Sequence, residues 1–179
     1  NFLYLACTDR RIGFDAYTEF FQSTNGQLYW SDTSQLSTYN KGYRDFINAK
    51  IEFDSPVSLM LSELYVPREM LPKFMAQVAD ILRASGIPNI YGTIRMIEKD
   101  DETFLPWAKE NYACVIFNLL VTNTALGKAK AADTFRGLID VSIALGGSYY
   151  LTYHKWARKD QVLACYPQMP AFFAKKAKY

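Results

Sequence analysis

The sequence predicts an α+β fold, an antiparallel sheet with helices on one face. Three observations support this. Residues 112–121 contain one polar side chain, Asn118, which is typical of a central strand covered on both faces. Residues 68–85 and 128–145 place their apolar side chains at helical spacing. Strand-like segments flank these helices, and the resulting β-α-β-β-α-β order is a ferredoxin-like pattern.

The remaining predicted elements complete a core domain over residues 56–179. They are strands at 57–66, 90–98 and 148–155, and one or two C-terminal helices at 160–178. Pro67 ends the first strand, and Gly86 and Gly146 end the two long helices. Two helices on one face leave the other sheet face open. Because that face carries aromatic side chains, we expect a ligand, a second domain or the N-terminal strands to cover it.

Residues 1–55 are predicted to extend the sheet with strands and short helices. These are an edge strand at 1–7, a short helix or irregular segment at 10–21, a tight turn at 24–26, a strand at 28–30 and a helix at 42–50. Asp54-Ser55-Pro56 separates the two parts. The chain starts without Met in a strand-like segment and stops in a helical one, so we expect a fragment of a longer protein.

Composition narrows the function classes. Half of the residues are apolar and 21% are charged, as in a folded protein rather than a disordered one. The net charge of +2 is too balanced to indicate nucleic-acid binding by itself. No apolar run reaches the ~18 residues that a membrane span needs. One histidine and three widely separated cysteines offer no metal-site spacing and fit a reducing, cytoplasmic compartment.

Five side chains are candidates for substrate binding: Arg95, Asn118, Tyr150, Tyr153 and His154. A buried Asn118 must find hydrogen-bond partners, and beside a cavity a ligand would supply them. Arg95 lies mid-strand and needs either a structural salt bridge or a ligand contact. His154 is either a structural hydrogen-bonding residue or part of the site. Tyr150 and Tyr153 are three residues apart, so they can share a pocket only where the strand bends or ends.

Two stretches match a known pattern together. One runs from Gly146-Gly147 through the tyrosines to His154, followed by Tyr166-Pro167. The other is Thr93-Ile94-Arg95 with Asp100-Asp101 ahead of the apolar strand. In order and spacing they resemble the C-terminal part of FAD-linked oxidases of the vanillyl-alcohol oxidase superfamily. The nearest branches are the sugar-lactone and alditol oxidases and the decaprenylphosphoryl-ribose oxidases. The resemblance covers roughly residues 57–179.

This resemblance implies that the chain is a cap, or substrate, domain. In the family, an open-faced antiparallel sheet roofs the isoalloxazine of an FAD held by another domain of the same polypeptide. That FAD-binding domain, with its glycine-rich loop, is not in this sequence. The parent enzyme would oxidise a hydroxyl-bearing carbon of a sugar-like or related small molecule. The present chain alone is expected to be colourless and inactive.

The resemblance also assigns residues. Arg95 falls on the family's substrate-contacting arginine, and Asn118 lies where the neighbouring strand carries polar side chains. Tyr150 and Tyr153 match the His and Lys of a His-Trp-x-Lys segment that contacts substrate near the flavin. Thr93 stands where Glu is common. These differences leave the substrate open, with His154 or the adjacent lysine available in compensation.

Two other functions fit the same predicted fold. A freestanding ferredoxin-like ligand-binding or regulatory module would dimerise through its open sheet face. A single-strand RNA binder would stack bases on aromatic residues of that face, for which Tyr91 and Tyr112 are available. The nearly balanced charge argues against RNA.

Overall fold

The structure, a computed structural model, describes residues 9–28 and 55–178. The chain divides into two units, Asn1–Pro56 and Val57–Tyr179, beside the boundary that the sequence predicts at 55/56. Three predicted elements lie wholly or mainly outside the described residues: the strands at 1–7 and 28–30 and the helix at 42–50.

In the first unit, helix α1 spans Arg10–Ser23. The Asp9 carboxylate caps it by accepting hydrogen bonds from the backbone N–H groups of Arg11 and Ile12, each at 3.1 Å. Residues 24–26 form the turn that ends the helix, and Gly26 has a φ of 79°. The predicted turn is therefore present, but it follows a helix and does not join two strands.

The second unit contains a four-stranded antiparallel sheet with the spatial order β2-β3-β1-β4. Its strands are β1 Val57–Pro67, β2 Asn89–Ile97, β3 Tyr112–Thr122 and β4 Ser148–Tyr149. The helix after β1 leads to β2, with β3 between those two parallel strands, and the helix after β3 leads to β4, with β1 between them. This is the ferredoxin-like arrangement. The predicted fold class is confirmed, and the apolar β3 is an inner strand.

Four α-helices complete the second unit. They are α2 Leu71–Ser85, which follows a 3-10 turn at Arg68–Met70, α3 Ala125–Ala144, α4 Lys159–Cys165 and α5 Met169–Lys178. The Thr124 hydroxyl accepts from the Gly127 N–H at 3.0 Å, so α3 starts before residue 128, where periodicity places it. Phe74 and Val78 of α2 and Phe135 of α3 lie in the main hydrophobic core.

The two faces of the sheet carry different residues. On the helix face, Leu64 and Val115 belong to the core beneath α2 and α3. The opposite face, called the loop face below, carries Glu63, Tyr65, Thr93, Arg95, Cys114, Ile116 and Asn118. Residues 98–111, which connect β2 to β3, bring Trp107 and Ala108 into contact with the apolar part of this face. The face that the sequence predicts to be open is therefore partly covered by its own loop.

The last strand is shorter than the sequence predicts. Strand pairing covers Ser148–Tyr149, and one more backbone hydrogen bond joins the Tyr150 N–H to the Glu63 carbonyl at 3.0 Å. The prediction of a strand at 148–155 is wrong. If the strand continued, alternation would place Tyr153 on the helix face and His154 on the loop face. Instead, Tyr153 contacts Glu63 on the loop face, and His154 contacts Phe135 on the helix side. The chain can reverse them only by leaving the strand after Tyr150.

Among residues 9–28 and 55–178, no helix combines the length and the apolar character that crossing a bilayer requires.

Candidate functional site

A carboxylate stands at the centre of the loop face. Glu63 of β1 is half-buried and accepts three hydrogen bonds. The Tyr65 hydroxyl donates to Oε1 at 2.6 Å, the Tyr153 hydroxyl donates to Oε2 at 2.8 Å, and the Cys114 thiol donates to Oε1 at 3.4 Å. These donors come from β1, β3 and the segment after β4. Glu63 therefore links three separate parts of the domain through charge-assisted hydrogen bonds.

The three donors keep their protons at neutral pH. Burial, reinforced by the hydrogen bond to Glu63, raises the pKa of Tyr65 and of Tyr153 above the usual value for a phenol. Burial and the nearby Glu63 charge also raise the pKa of the Cys114 thiol. Neither tyrosine nor the thiol is activated as a nucleophile or a base by deprotonation. The cluster therefore keeps the protons on the three donors, which direct them to the Glu63 oxygens.

Aromatic rings hold the tyrosines of this cluster in place. The Trp107 ring lies 5.2 Å from Tyr65 and 6.3 Å from Tyr150, measured between centroids. Tyr150 in turn lies 5.3 Å from Tyr153. Tyr150 and Tyr153 therefore lie side by side, as the sequence allows only where the strand ends. The ring contacts restrict the orientation of both side chains.

Arg95 lies on the same face, beyond Cys114. In the register of the sheet, Arg95 of β2 pairs with Cys114 of β3, which in turn is paired with Tyr65 of β1. The Arg95 side chain is exposed, and no described residue forms a hydrogen bond or an ion pair with it. The structural salt bridge considered from the sequence is not found among residues 9–28 and 55–178. Within residues 9–28 and 55–178, Arg95 therefore presents a guanidinium without a direct partner beside the cluster.

On strands β2 and β3, two buried oxygen atoms of the loop face lack hydrogen bonds from the described residues. Asn118 is 1% exposed, and within the described part of the chain its Oδ1 has no partner. The same holds for Oγ1 of Thr93. Asn118 is the diagonal cross-strand neighbour of Glu63, because Glu63 pairs with Ile116, two residues earlier on β3. Buried polar atoms are nearly always paired in folded proteins. The Asn118 oxygen therefore lacks a donor, whereas the Thr93 hydroxyl could take either a donor or an acceptor.

His154 lies apart from the other four predicted site residues. Its ring is 3.8 Å from Phe135 of α3 and 4.5 Å from Trp156, on the helix side of the sheet. Burial between these rings lowers the pKa of His154 to about 4, so the imidazole is neutral at physiological pH. The structure brings Arg95, Asn118, Tyr150 and Tyr153 to the loop face and places His154 in the helix-side core.

Glu63, Tyr65 and Cys114 were not among the site residues predicted from the sequence. One signal was present: Glu63 is the only charged residue in the predicted strand at 57–66, just as Arg95 is in the middle of its own strand. Alternation would have placed Glu63 and Tyr65 on one face. The contribution of Trp107 could not be predicted, since it lies in a loop without periodicity.

The chemistry available here is recognition of a polar ligand. The loop face combines a fixed carboxylate with two tyrosine hydroxyls, an unpaired arginine and an unpartnered amide oxygen. Among the described residues, no group of three His, Cys, Asp or Glu side chains is arranged to hold a metal ion. In the comparisons with known proteins, no family model matches this sequence and no curated protein matches it.

Proposed function

We propose that residues 57–179 are the substrate-binding cap domain of an FAD-dependent oxidoreductase that oxidises a hydroxyl-bearing carbon of a sugar-like or related alcohol. The FAD-binding domain would belong to the same polypeptide. The observation that carries the proposal is the set of polar side chains on the loop face. On the side of the sheet away from the helices, Glu63 and Tyr153 share a face with Arg95 and with the Asn118 oxygen, neither of which has a partner among the described residues.

The residues present fit a roof over a flavin and its substrate. A roof needs polar side chains on a rigid surface, and here most of them project from paired β-strands. The unpartnered oxygens of Asn118 and Thr93 would receive donors from the substrate or from the cofactor. The phosphate groups of FAD would be held elsewhere, since the sequence has no glycine-rich phosphate loop.

The division of roles follows from the chemistry. FAD, when bound, accepts the hydride from the substrate carbon, and this redox capacity belongs to the cofactor. The residues of this chain bind and orient the substrate. Arg95 would anchor an anionic or polyhydroxyl group, and Tyr153 would contact the hydroxyl near the reacting carbon. Holding the substrate in one orientation is the contribution to rate that such a surface can make.

The buried cysteines support a cytoplasmic location. Cys114 and Cys165 are both free thiols inside the second unit. Free buried thiols are typical of proteins in a reducing compartment.

The test uses the polypeptide encoded by the complete reading frame. We expect it to purify with the visible absorption of a bound flavin, and we expect a hydroxyl-bearing substrate from a polyol and sugar panel to bleach it without oxygen. Arg95→Ala should slow bleaching by about tenfold or more while leaving the flavin spectrum unchanged. Arg83→Ala is the matched control, because Arg83 is an exposed arginine on α2 that pairs with Asp80.

Two results would overturn this function. One is a complete polypeptide that neither contains nor binds FAD. The other is a flavoprotein in which Arg95→Ala and Arg83→Ala have the same rate of flavin bleaching by the substrate. A complete protein of about this length that dimerises without a cofactor would instead support the freestanding ligand-binding module.

A further inference from the structure

The hydrogen bonds around Glu63 have a direction. A carboxylate accepts and cannot donate, whereas a tyrosine hydroxyl has one proton to give. The Tyr153 hydroxyl gives that proton to Glu63 Oε2 at 2.8 Å. Its oxygen can then only accept hydrogen bonds on its remaining side. Tyr153 as a residue is 38% exposed, so part of it can be reached from outside the cluster.

The neighbouring donors are committed in the same way. Tyr65 donates its proton to Oε1 of Glu63 at 2.6 Å, and the Cys114 thiol is directed to the same oxygen. Neither can turn its proton toward a ligand without leaving a half-buried carboxylate short of a partner. On this part of the loop face, the hydroxyl and thiol protons are therefore all directed to Glu63. The tyrosine oxygens are left with lone pairs, which can only accept hydrogen bonds.

A second, independent observation also shows an oxygen that lacks a hydrogen-bond donor. Asn118, the diagonal neighbour of Glu63 on β3, buries an oxygen that receives no hydrogen bond from a described residue. It too lacks a donor, not an acceptor.

We propose that Glu63 is a positioning residue that holds the Tyr153 hydroxyl as a hydrogen-bond acceptor, so that the part of the loop face at Tyr153 selects ligands that donate a hydrogen bond there, such as alcohols. The inference rests on the proposed function, which makes this face the one that meets the substrate. It adds a specificity rule: at Tyr153 an ether of the same alcohol is disfavoured, because its oxygen would place a lone pair against the lone pair of the Tyr153 oxygen.

The rule predicts a reversal in one variant. In Glu63→Gln the side-chain shape is kept, but the amide can donate to the Tyr153 oxygen. The Tyr153 proton is then free to point outward, and the same surface can bind an ether. A residue with a merely structural role would change the overall affinity and not the preference.

The experiment measures binding to the 179-residue chain without flavin. The probes are erythritol and its tetra-O-methyl ether, followed by ligand-observed saturation-transfer NMR titration. Wild type is expected to bind erythritol about tenfold more tightly than the ether, as one directed hydrogen bond predicts. Glu63→Gln should abolish or invert that preference, and Tyr153→Phe should abolish it. Glu98→Gln, at an exposed glutamate that pairs with Arg68, should leave the preference unchanged.

Three outcomes would overturn the inference: wild type that binds both probes equally, wild type that binds neither, or Glu63→Gln that keeps the wild-type preference. If Glu63→Gln does not fold, Tyr153→Phe still tests the inference, because that variant removes only one hydroxyl from a partly exposed ring. Because no flavin is present, failure here is separable from failure of the proposed function, which is decided by the flavin content of the complete polypeptide.

Discussion

The Tyr153 hydroxyl donates a 2.8 Å hydrogen bond to Oε2 of Glu63, although the two residues are 90 positions apart in the chain. The bond connects β1 with the irregular segment that follows β4. It also explains why the segment leaves the sheet so early, since only a departing chain can bring Tyr153 to the loop face. The carboxylate that links these two segments is therefore the same one to which we assign a role in ligand recognition.

Removing that carboxylate should destabilise the domain more than removing one donor. Glu63→Ala leaves the hydroxyl of the fully buried Tyr65 without an acceptor, so we expect a loss of about 2 kcal/mol in the free energy of unfolding. Tyr153→Phe deletes a single hydrogen bond and should cost about 1 kcal/mol. Urea unfolding measures both values. Glu98→Ala, at an exposed ion pair, should change the free energy by less than about 1 kcal/mol, and an equal loss at both glutamates would contradict this ranking.

The turn before β4 should tolerate no side chain at Gly147. A Cβ added there would lie 1.9 Å from the Tyr65 carbonyl oxygen, so we expect Gly147→Ala to destabilise by about 3 kcal/mol. Gly137, inside α3, provides the opposite case, because its Cβ would meet the Ile81 side chain at 3.6 Å. Gly137→Ala should be neutral or stabilise by up to about 1 kcal/mol. Thermal melting should show a lower midpoint for Gly147→Ala and an unchanged or higher midpoint for Gly137→Ala. A Gly147→Ala variant as stable as wild type would contradict the close approach of Gly147 to the Tyr65 carbonyl.

His154 should make stability depend on pH. Its pKa is lowered to about 4 in the folded chain by burial, while the unfolded chain binds the proton near pH 6.5. Between these values the unfolded state holds more protons, so stability falls as the pH decreases from about 6.5 to about 4. For this half-buried ring the loss should be on the order of 2 kcal/mol.

The measurement is the urea midpoint from neutral pH to pH 4, compared with His154→Phe. The sequence has one histidine, so the difference between the two pH profiles isolates this group from the carboxylates. Parallel profiles would show that the imidazole is solvated in the folded state.

Asn118 should show a conflict between stability and binding. Its buried Oδ1 lacks a partner among the described residues, so Asn118→Leu is expected to raise the free energy of unfolding by about 1 kcal/mol. In the complete polypeptide, the same variant should slow flavin reduction by substrate without altering the flavin spectrum. Loss of stability in Asn118→Leu, seen by urea unfolding, would mean that the amide has a structural partner and is not reserved for a ligand.

The sequence alone determined the order of the elements and the placement of two polar residues. Apolar periodicity is a local property, so the helices at 71–85 and 125–144 and the strands around them could be read from their own residues. Strand alternation likewise placed Arg95 opposite Ile94 and Met96, on the side that the structure identifies as the loop face. Asn118 was identified as the one polar residue of a buried strand.

Only the tertiary structure decided which side chains meet. The hydrogen bonds of Tyr153 and Cys114 with Glu63 and the contact of His154 with Phe135 join residues from distant parts of the chain, and no local pattern encodes such pairs. The short β4 has the same origin. Its sequence is compatible with a longer strand, but packing against α3 and the bond to Glu63 draw the chain out of the sheet, because those tertiary contacts replace the ladder hydrogen bonds that a longer strand would make.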